Sequence, residues 1–70
     1  SSFCIDQMGR VWVSDFGDLI VFDNEGTYLA TLDPGTTLED MYMGDGYQLF
    51  GLTHDDTVIQ FDLSSEAPEL

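Results

Sequence analysis

The feature that most constrains the fold of this chain is an internal repeat. When the sequence is shifted against itself by 39 positions without gaps, similar residues coincide in its short apolar segments and not in the intervening turns. The coinciding pairs are Asp6/Asp45, Val11/Phe50, Val13/Leu52, Ser14/Thr53, Leu19/Val58, Ile20/Ile59, Phe22/Phe61 and Asp23/Asp62. A repeated unit this short cannot bury its apolar residues alone, so the units are expected to stack on one another.

Each copy is predicted to consist of short β-strands. Apolar segments rich in β-branched and aromatic residues alternate with turns rich in Asp and Gly, which is typical of strands joined by hairpins. The predicted strands are 3–5, 10–14, 19–22 and 27–32 in the first copy, and 40–43, 47–53 and 57–63 in the second. The fourth strand of the second copy would fall from Glu66 onward, but Pro68 stands in this segment and is tolerated only at a sheet edge. The second copy is therefore expected to be incomplete.

Residues 19–22 form an uninterrupted apolar run, which predicts a strand covered on both faces. Trp12 is expected to be at least half buried. The full predicted core is Val11, Val13, Leu19, Ile20, Val21, Phe22, Ile59 and Phe61.

Residues 6–15 followed by 19–26 resemble an NHL repeat. The resemblance rests on an acidic turn with Gly9, a strand that contains Trp12, and an apolar strand that ends in Phe22-Asp23 before a Gly turn. The second copy departs from this pattern, with Gln48 in place of the Gly and His54 in place of the Asp. Its end, residues 61–65, is equally similar to a WD40-type or quinoprotein-type blade.

This resemblance implies an all-β fold with two tandem antiparallel four-stranded repeats of β-propeller blade type. The first repeat is expected at 1–35 and the second, incomplete one at 36–70. Closed propellers contain about four to eight blades. The chain is thus expected to be a segment of a larger propeller, or to assemble with copies of itself or with another protein.

Proteins of these families are mostly binding platforms, with a minority of enzymes. The resemblance therefore implies a non-catalytic binding or structural scaffold that mediates protein interaction. One alternative is a fragment of a lactonase-like or lyase-like propeller enzyme whose catalytic residues lie elsewhere. Another is a β-repeat that assembles with itself.

The charge balance narrows the range of partners. The chain has fourteen acidic residues, one Arg and no Lys, which gives a formal net charge of −13. Such a chain repels nucleic-acid phosphates and anionic membranes. A basic partner or cations, a high-salt source, or an acidic sector of a larger protein would each account for this charge. The longest apolar run has only four residues, 19–22, so we expect a soluble chain without a membrane span or signal peptide.

Catalytic and metal-binding candidates are few, and no catalytic residue is assigned. The single cysteine, Cys4, is expected to be buried and inert, and His54 beside Asp55 and Asp56 is expected to lie in a solvated turn. Calcium is the one cofactor considered, because hard cations bind several carboxylate oxygens. Its candidate ligands are Asp15, Asp18, Asp23 and Glu25. The residues around Asp23 are interpreted first as a hairpin turn, since Pro34 stands where a calcium loop has its last acid.

Overall fold

The computed structural model of the chain describes residues 1–70 and contains seven β-strands and no helix. The turn residues between the apolar segments set the strand ends. The strands are β1 (Ser2–Ile5), β2 (Val11–Asp15), β3 (Asp18–Phe22), β4 (Tyr28–Leu32), β5 (Leu38–Met43), β6 (Gln48–Thr53) and β7 (Val58–Asp62). No helix is present that is long and apolar enough to cross a membrane.

The strands form two antiparallel sheets in chain order, β1-β2-β3-β4 in the first sheet and β5-β6-β7 in the second. The predicted all-β architecture of antiparallel sheets is confirmed. The second sheet has three strands, because residues 63–70 form none. Only the backbone N–H of Leu63, which donates to the carbonyl of Tyr47 at 2.7 Å, extends the pairing beyond β7.

Three of the hairpin turns share one construction, at residues 6–10, 23–27 and 53–57. In each turn, the backbone N–H of the first residue donates to the carbonyl of the fifth residue. The backbone N–H of the fourth residue donates to the carbonyl of the first. The side chain of the first residue also accepts the fifth backbone N–H, which fixes the turn from inside. The fourth residue has a positive φ in every case, as Gly9, Gly26 and Asp56.

The two sheets correspond in register at a shift that differs from the predicted one. Ile5 pairs with Val11, and Met43 pairs with Leu49, so the first hairpins correspond at a shift of 38 residues. The shift becomes 39 only at the third strands. The cause is one additional residue between the second and third strands, because the pair Asp15 and Asp18 encloses two residues whereas the corresponding pair Thr53 and Thr57 encloses three. Val11 and Phe50 do lie on the second strand of their sheets, and Phe22 and Phe61 lie on the third.

One face of each sheet contributes to a single shared core, and we call these the inner faces. Its buried apolar residues are Trp12, Leu19, Val21, Leu38, Met41, Leu49 and Leu63. Trp12 is fully buried, which confirms its expected position. Cys4, Ile59 and Phe61 pack partly buried against this cluster.

Within this chain β3 is covered on one face only, whereas the predicted cover on both faces includes neighbouring sheets. Leu19 and Val21 are buried on the inner face, whereas Ile20 and Phe22 point to the opposite face and are only half buried. Of the eight predicted core residues, six are half buried, namely Val11, Val13, Ile20, Phe22, Ile59 and Phe61. Two stacked sheets can cover only one face each, so the apolar residues of the other faces remain accessible.

The first strands of the two sheets lie side by side and run in the same direction. At their beginnings, the Ser2 hydroxyl donates to Asp40 Oδ1 at 3.1 Å. At their far ends, in the turns that follow β1 and β5, the Tyr47 hydroxyl lies 3.7 Å from Met8 Sδ. Corresponding ends of the two sheets are therefore adjacent.

Close packing at Gly51 generates a first prediction. A Cβ atom at this position would lie 2.7 Å from Cδ2 of the buried Leu38. We expect Gly51→Ala to lower the free energy of unfolding by about 1 to 3 kcal/mol, because Leu38 must leave its position in the core. Gly17 has open space around it, so Gly17→Ala is the matched control and should change stability by about 0.5 kcal/mol or less. Urea denaturation in about 1 M salt measures both, and equal effects of the two variants would contradict the packing described.

Candidate functional site

The most densely connected polar group of the chain is the carboxylate of Asp6, at the start of the turn between β1 and β2. Its Oδ1 accepts the backbone N–H groups of Met8 at 2.8 Å and of Arg10 at 2.9 Å. Its Oδ2 accepts Arg10 Nε at 2.6 Å and Trp12 Nε1 at 2.8 Å. Because Asp6 is 6% exposed, these four donors replace water as the solvation of its charge.

Arg10, the only Arg in a chain without Lys, is the partner of this carboxylate. Arg10 is itself only 7% exposed, and its guanidinium carbon lies 5.5 Å from the centre of the Trp12 ring. Its Nη2 donates to the backbone carbonyl of Ser64 at 2.6 Å. Arg10 therefore joins the first hairpin to the segment that follows the last strand of the second sheet.

The environment of Asp6 favours its ionised form. Burial alone raises the pKa of a carboxyl group, but here the hydrogen bonds from Trp12 and Arg10 and the charge of Arg10 outweigh it. The pKa of Asp6 is therefore held below its ordinary value of 3.8. We call Asp6, Arg10 and Trp12 the buried cluster. The hydrogen-bonding groups of this cluster bond to one another and to backbone groups of the chain, so the cluster can hold the two sheets in place.

Sequence reasoning did not identify the buried cluster, although a signal for it was present. Arg10 and Trp12 are two residues apart in the predicted strand 10–14, which places their side chains on the same face. The only arginine of a chain with fourteen acidic residues also follows directly after an Asp-containing turn. The contact with Ser64 has no comparable local signal, because it joins residues far apart in the sequence.

The predicted calcium candidates fall into two separate turns. Asp15 and Asp18 are paired across the two-residue turn between β2 and β3, and both are exposed. Asp23 and Glu25 lie in the turn between β3 and β4, at the other end of β3, which is about 16 Å away at the usual rise of a strand. Asp23 Oδ1 already accepts the N–H groups of Glu25 and Thr27. The structure brings no three of its His, Cys, Asp and Glu side chains into one metal-binding group.

The remaining single candidates occupy ordinary structural positions. Burial, followed by the charge of Asp6, raises the pKa of Cys4 to about 11, so its thiol stays protonated at neutral pH. His54 is exposed in the turn between β6 and β7. Hydrogen bonds from Thr53 and then Thr57 lower the pKa of the neighbouring Asp55.

The largest surface feature of the first sheet is its uncovered apolar face. We call it the first outer face. The pairing of strands β1 to β4 places its residues in two rows across the sheet. The rows are Phe3–Val13–Ile20–Thr31 and Ile5–Val11–Phe22–Tyr28. No residue of these two rows is charged, and the next row on the same face is the acidic pair Asp15 and Asp18. Phe3 is 65% exposed and Ile5 is 56% exposed. Contiguous apolar patches of this kind on small proteins usually mark an interaction surface.

The second sheet also has an uncovered apolar face, on its side away from the core. We call this the second outer face. Its apolar members, Tyr42, Phe50, Leu52 and Val58, line an open pocket of about 310 Å³ next to Asp40. Tyr42 is 72% exposed and Val58 is 66% exposed. The two-sheet unit thus presents an apolar face on each of its sides.

Comparison with known proteins adds no family assignment, because no family model, no curated protein and no solved structure matches this chain. The assignment of function therefore depends on the buried cluster and the two outer faces.

The buried cluster generates a second prediction, with a matched control inside the chain. Asp6 and Asp23 hold turns of the same construction, but only Asp6 also binds Arg10 and Trp12. We expect Asp6→Ala to lower the free energy of unfolding by about 3 to 5 kcal/mol, because it leaves the Arg10 charge buried without a partner. Asp23→Ala should lower it by only about 1 kcal/mol. Urea denaturation in about 1 M salt measures this difference, and equal losses would show that the buried cluster adds nothing beyond the turn.

The lowered pKa of Asp6 generates a third prediction, on the pH dependence of stability. A carboxyl group with a lower pKa in the folded state stabilises the fold above its unfolded pKa, and this contribution is lost as the pH falls through the folded pKa. The stability difference between the wild type and Asp6→Asn should therefore be constant above about pH 5 and should shrink below pH 3.8. Asp23→Asn, which changes the net charge equally, is the control. A difference that stays constant in acid would contradict the assignment.

Proposed function

We propose that this chain is a non-catalytic scaffold, a pair of sheets from a β-propeller-type stack whose outer faces are covered by further sheets. The observation that carries the proposal is that both outer faces are apolar, while the chain itself covers only the inner faces. The resemblance of residues 6–26 to an NHL repeat supports the same reading. Neighbouring blades of a larger propeller, or other protein chains, would supply the cover.

The distribution of charge supports an interaction role for the faces. The chain has fourteen acidic residues, yet none lies in the two rows of the first outer face. Many of the acids lie instead in the hairpin turns, including Asp23 and Asp55, and the pair Asp15 and Asp18 lies at the margin of this face. A stack of such sheets would present apolar surface to its neighbours and acidic turns to solvent, where a basic protein segment or cations would bind.

The state of the titratable groups favours a scaffold over an enzyme for this part of the protein. The Cys4 thiol is held in its protonated form, and the Asp6 carboxylate is saturated by four donors. Neither group is prepared to act as a nucleophile or a base. In a propeller enzyme of the lactonase-like or lyase-like kind, the catalytic residues would have to come from other sheets.

A fourth prediction tests whether the chain needs its outer faces covered in order to fold. With both outer faces exposed and a net charge of −13, the isolated chain should be weakly ordered at low salt. Its order should increase in about 1 M salt, where the screening length falls to about 3 Å and apolar association is opposed less by repulsion. Circular dichroism and sedimentation of the chain across this range measure the effect, with Ca²⁺ compared against Mg²⁺ at equal ionic strength.

Three results of this experiment lead to different conclusions about the chain. A gain of order with salt alone supports charge screening and covered faces. A larger gain with Ca²⁺ than with Mg²⁺ would add a calcium role for the acidic turns. A monomer that melts sharply at low salt without metal would contradict the proposal, since the two sheets would then form a complete small domain.

A further inference from the structure

We propose that the two outer faces are complementary to one another, so that copies of this chain associate head to tail, with the first outer face of one copy packed on the second outer face of the next. The inference rests on the proposed function and names the partner of its faces, a second copy of the chain. It follows from the way the two sheets already pack within one copy.

The two sheets correspond to each other strand by strand. At the observed shift of 38 residues in the first two strands, Phe3 corresponds to Met41 and Val11 to Leu49. The turns confirm this alignment, since the bond from Asp6 N to Arg10 O has its equivalent from Gly44 N to Gln48 O. Phe3 and Val11 lie on the first outer face, whereas Met41 and Leu49 lie on the inner face of the second sheet. The first outer face therefore corresponds to the inner face of the second sheet.

The reverse correspondence holds for the other pair of faces. At the same shift, Trp12 on the inner face of the first sheet corresponds to Phe50 on the second outer face. At the shift of 39 that applies to the third strands, Leu19 corresponds to Val58. Within one copy, the surface that contains Trp12 and Leu19 packs against the surface that contains Met41 and Leu49. The two outer faces are the counterparts of these two packed surfaces, which is why they are expected to fit each other.

The direction of the strands agrees with a head-to-tail arrangement. β1 and β5 run in the same direction with corresponding ends adjacent, as the Ser2–Asp40 and Met8–Tyr47 contacts show. The two sheets are thus not related by a two-fold axis that would reverse the strands. Repetition of such a heterologous contact gives a ring when the rotation closes and a filament when it does not. At two sheets a copy, a propeller-type ring of about four to eight sheets needs about two to four copies.

Charge and area set the strength of the contact. The apolar rows carry no charge, but acids lie at the margins of both faces, Asp15 and Asp18 on the first and Asp40 and Asp62 on the second. These margins repel one another until salt screens their charges. Four strands spaced by about 4.8 Å and about five residues long give a footprint of roughly 300 Å², less than the ~800 Å² that each partner of a stable dimer usually contributes. A single contact is therefore weak, and association should need high protein concentration and salt that screens the net charge.

The test uses two variants that each disable one face. Phe3→Thr with Ile5→Thr alters the first outer face, and Tyr42→Thr with Val58→Thr alters the second; all four residues are more than half exposed in the single chain. Threonine keeps the preference for strands. Phe16→Asn is the control, because Phe16 is 86% exposed but lies at the tip of a turn, outside both faces. The emission of Trp12, the single tryptophan, and circular dichroism show that each variant is folded in about 1 M salt.

Sedimentation velocity over a range of concentrations in the same salt gives the readout. We expect the wild type and Phe16→Asn to associate, each face variant alone to remain monomeric, and an equimolar mixture of the two face variants to form a one-to-one complex through their intact faces. A face variant that still forms dimers alone would show like faces in contact and would overturn the head-to-tail arrangement. A wild type that stays monomeric would overturn self-association. The proposed scaffold role would then still be judged by whether the isolated chain is weakly ordered at low salt.

Discussion

The ion pair between Asp6 and Arg10 is the interaction on which the rest of the structure depends. It closes the first hairpin, fixes the indole of Trp12 in the centre of the core, and reaches through Arg10 to the backbone of Ser64 beyond the second sheet. Buried pairs of this kind contribute little net stability but are costly to break. In a chain of seventy residues, which buries only about 60% of its unfolded surface, such a pair selects one arrangement of the two sheets.

The second constraint is geometric. Two sheets can shield one face each, so a sequence with apolar residues at successive strand positions must leave two apolar faces uncovered. The acidic residues are absent from the two apolar rows of the first outer face and are frequent in the turns and at the margin of that face. This division of apolar faces and acidic turns leads from the fold to a scaffold role, in which neighbouring sheets cover the faces and the turns remain in solvent.

Local sequence signals predicted most of the fold and little of the site. Strand positions and turns follow from short-range patterns, such as the Asp23–Gly26 hairpin, and all seven predicted strands are present. The gapless shift of 39 was wrong in the first hairpin because the second copy has one more residue between its second and third strands. An alignment displaced by one residue pairs side chains that lie on opposite faces. Coverage of β3 could not be read from residues 19–22, since it depends on how many sheets stack. The Arg10–Ser64 contact depends on tertiary packing that no local pattern encodes.

The exchange of the Trp12 indole proton with solvent tests this account most directly. The chain has one tryptophan, so its Nε1–H gives a single resonance in the nuclear magnetic resonance spectrum. Buried and donating to Asp6, this proton should exchange as slowly as the most protected amides of β2 and β3, at a rate set by global unfolding. An indole proton that exchanges as fast as an exposed one, while those amides stay protected, would show that the buried cluster does not hold the sheets together.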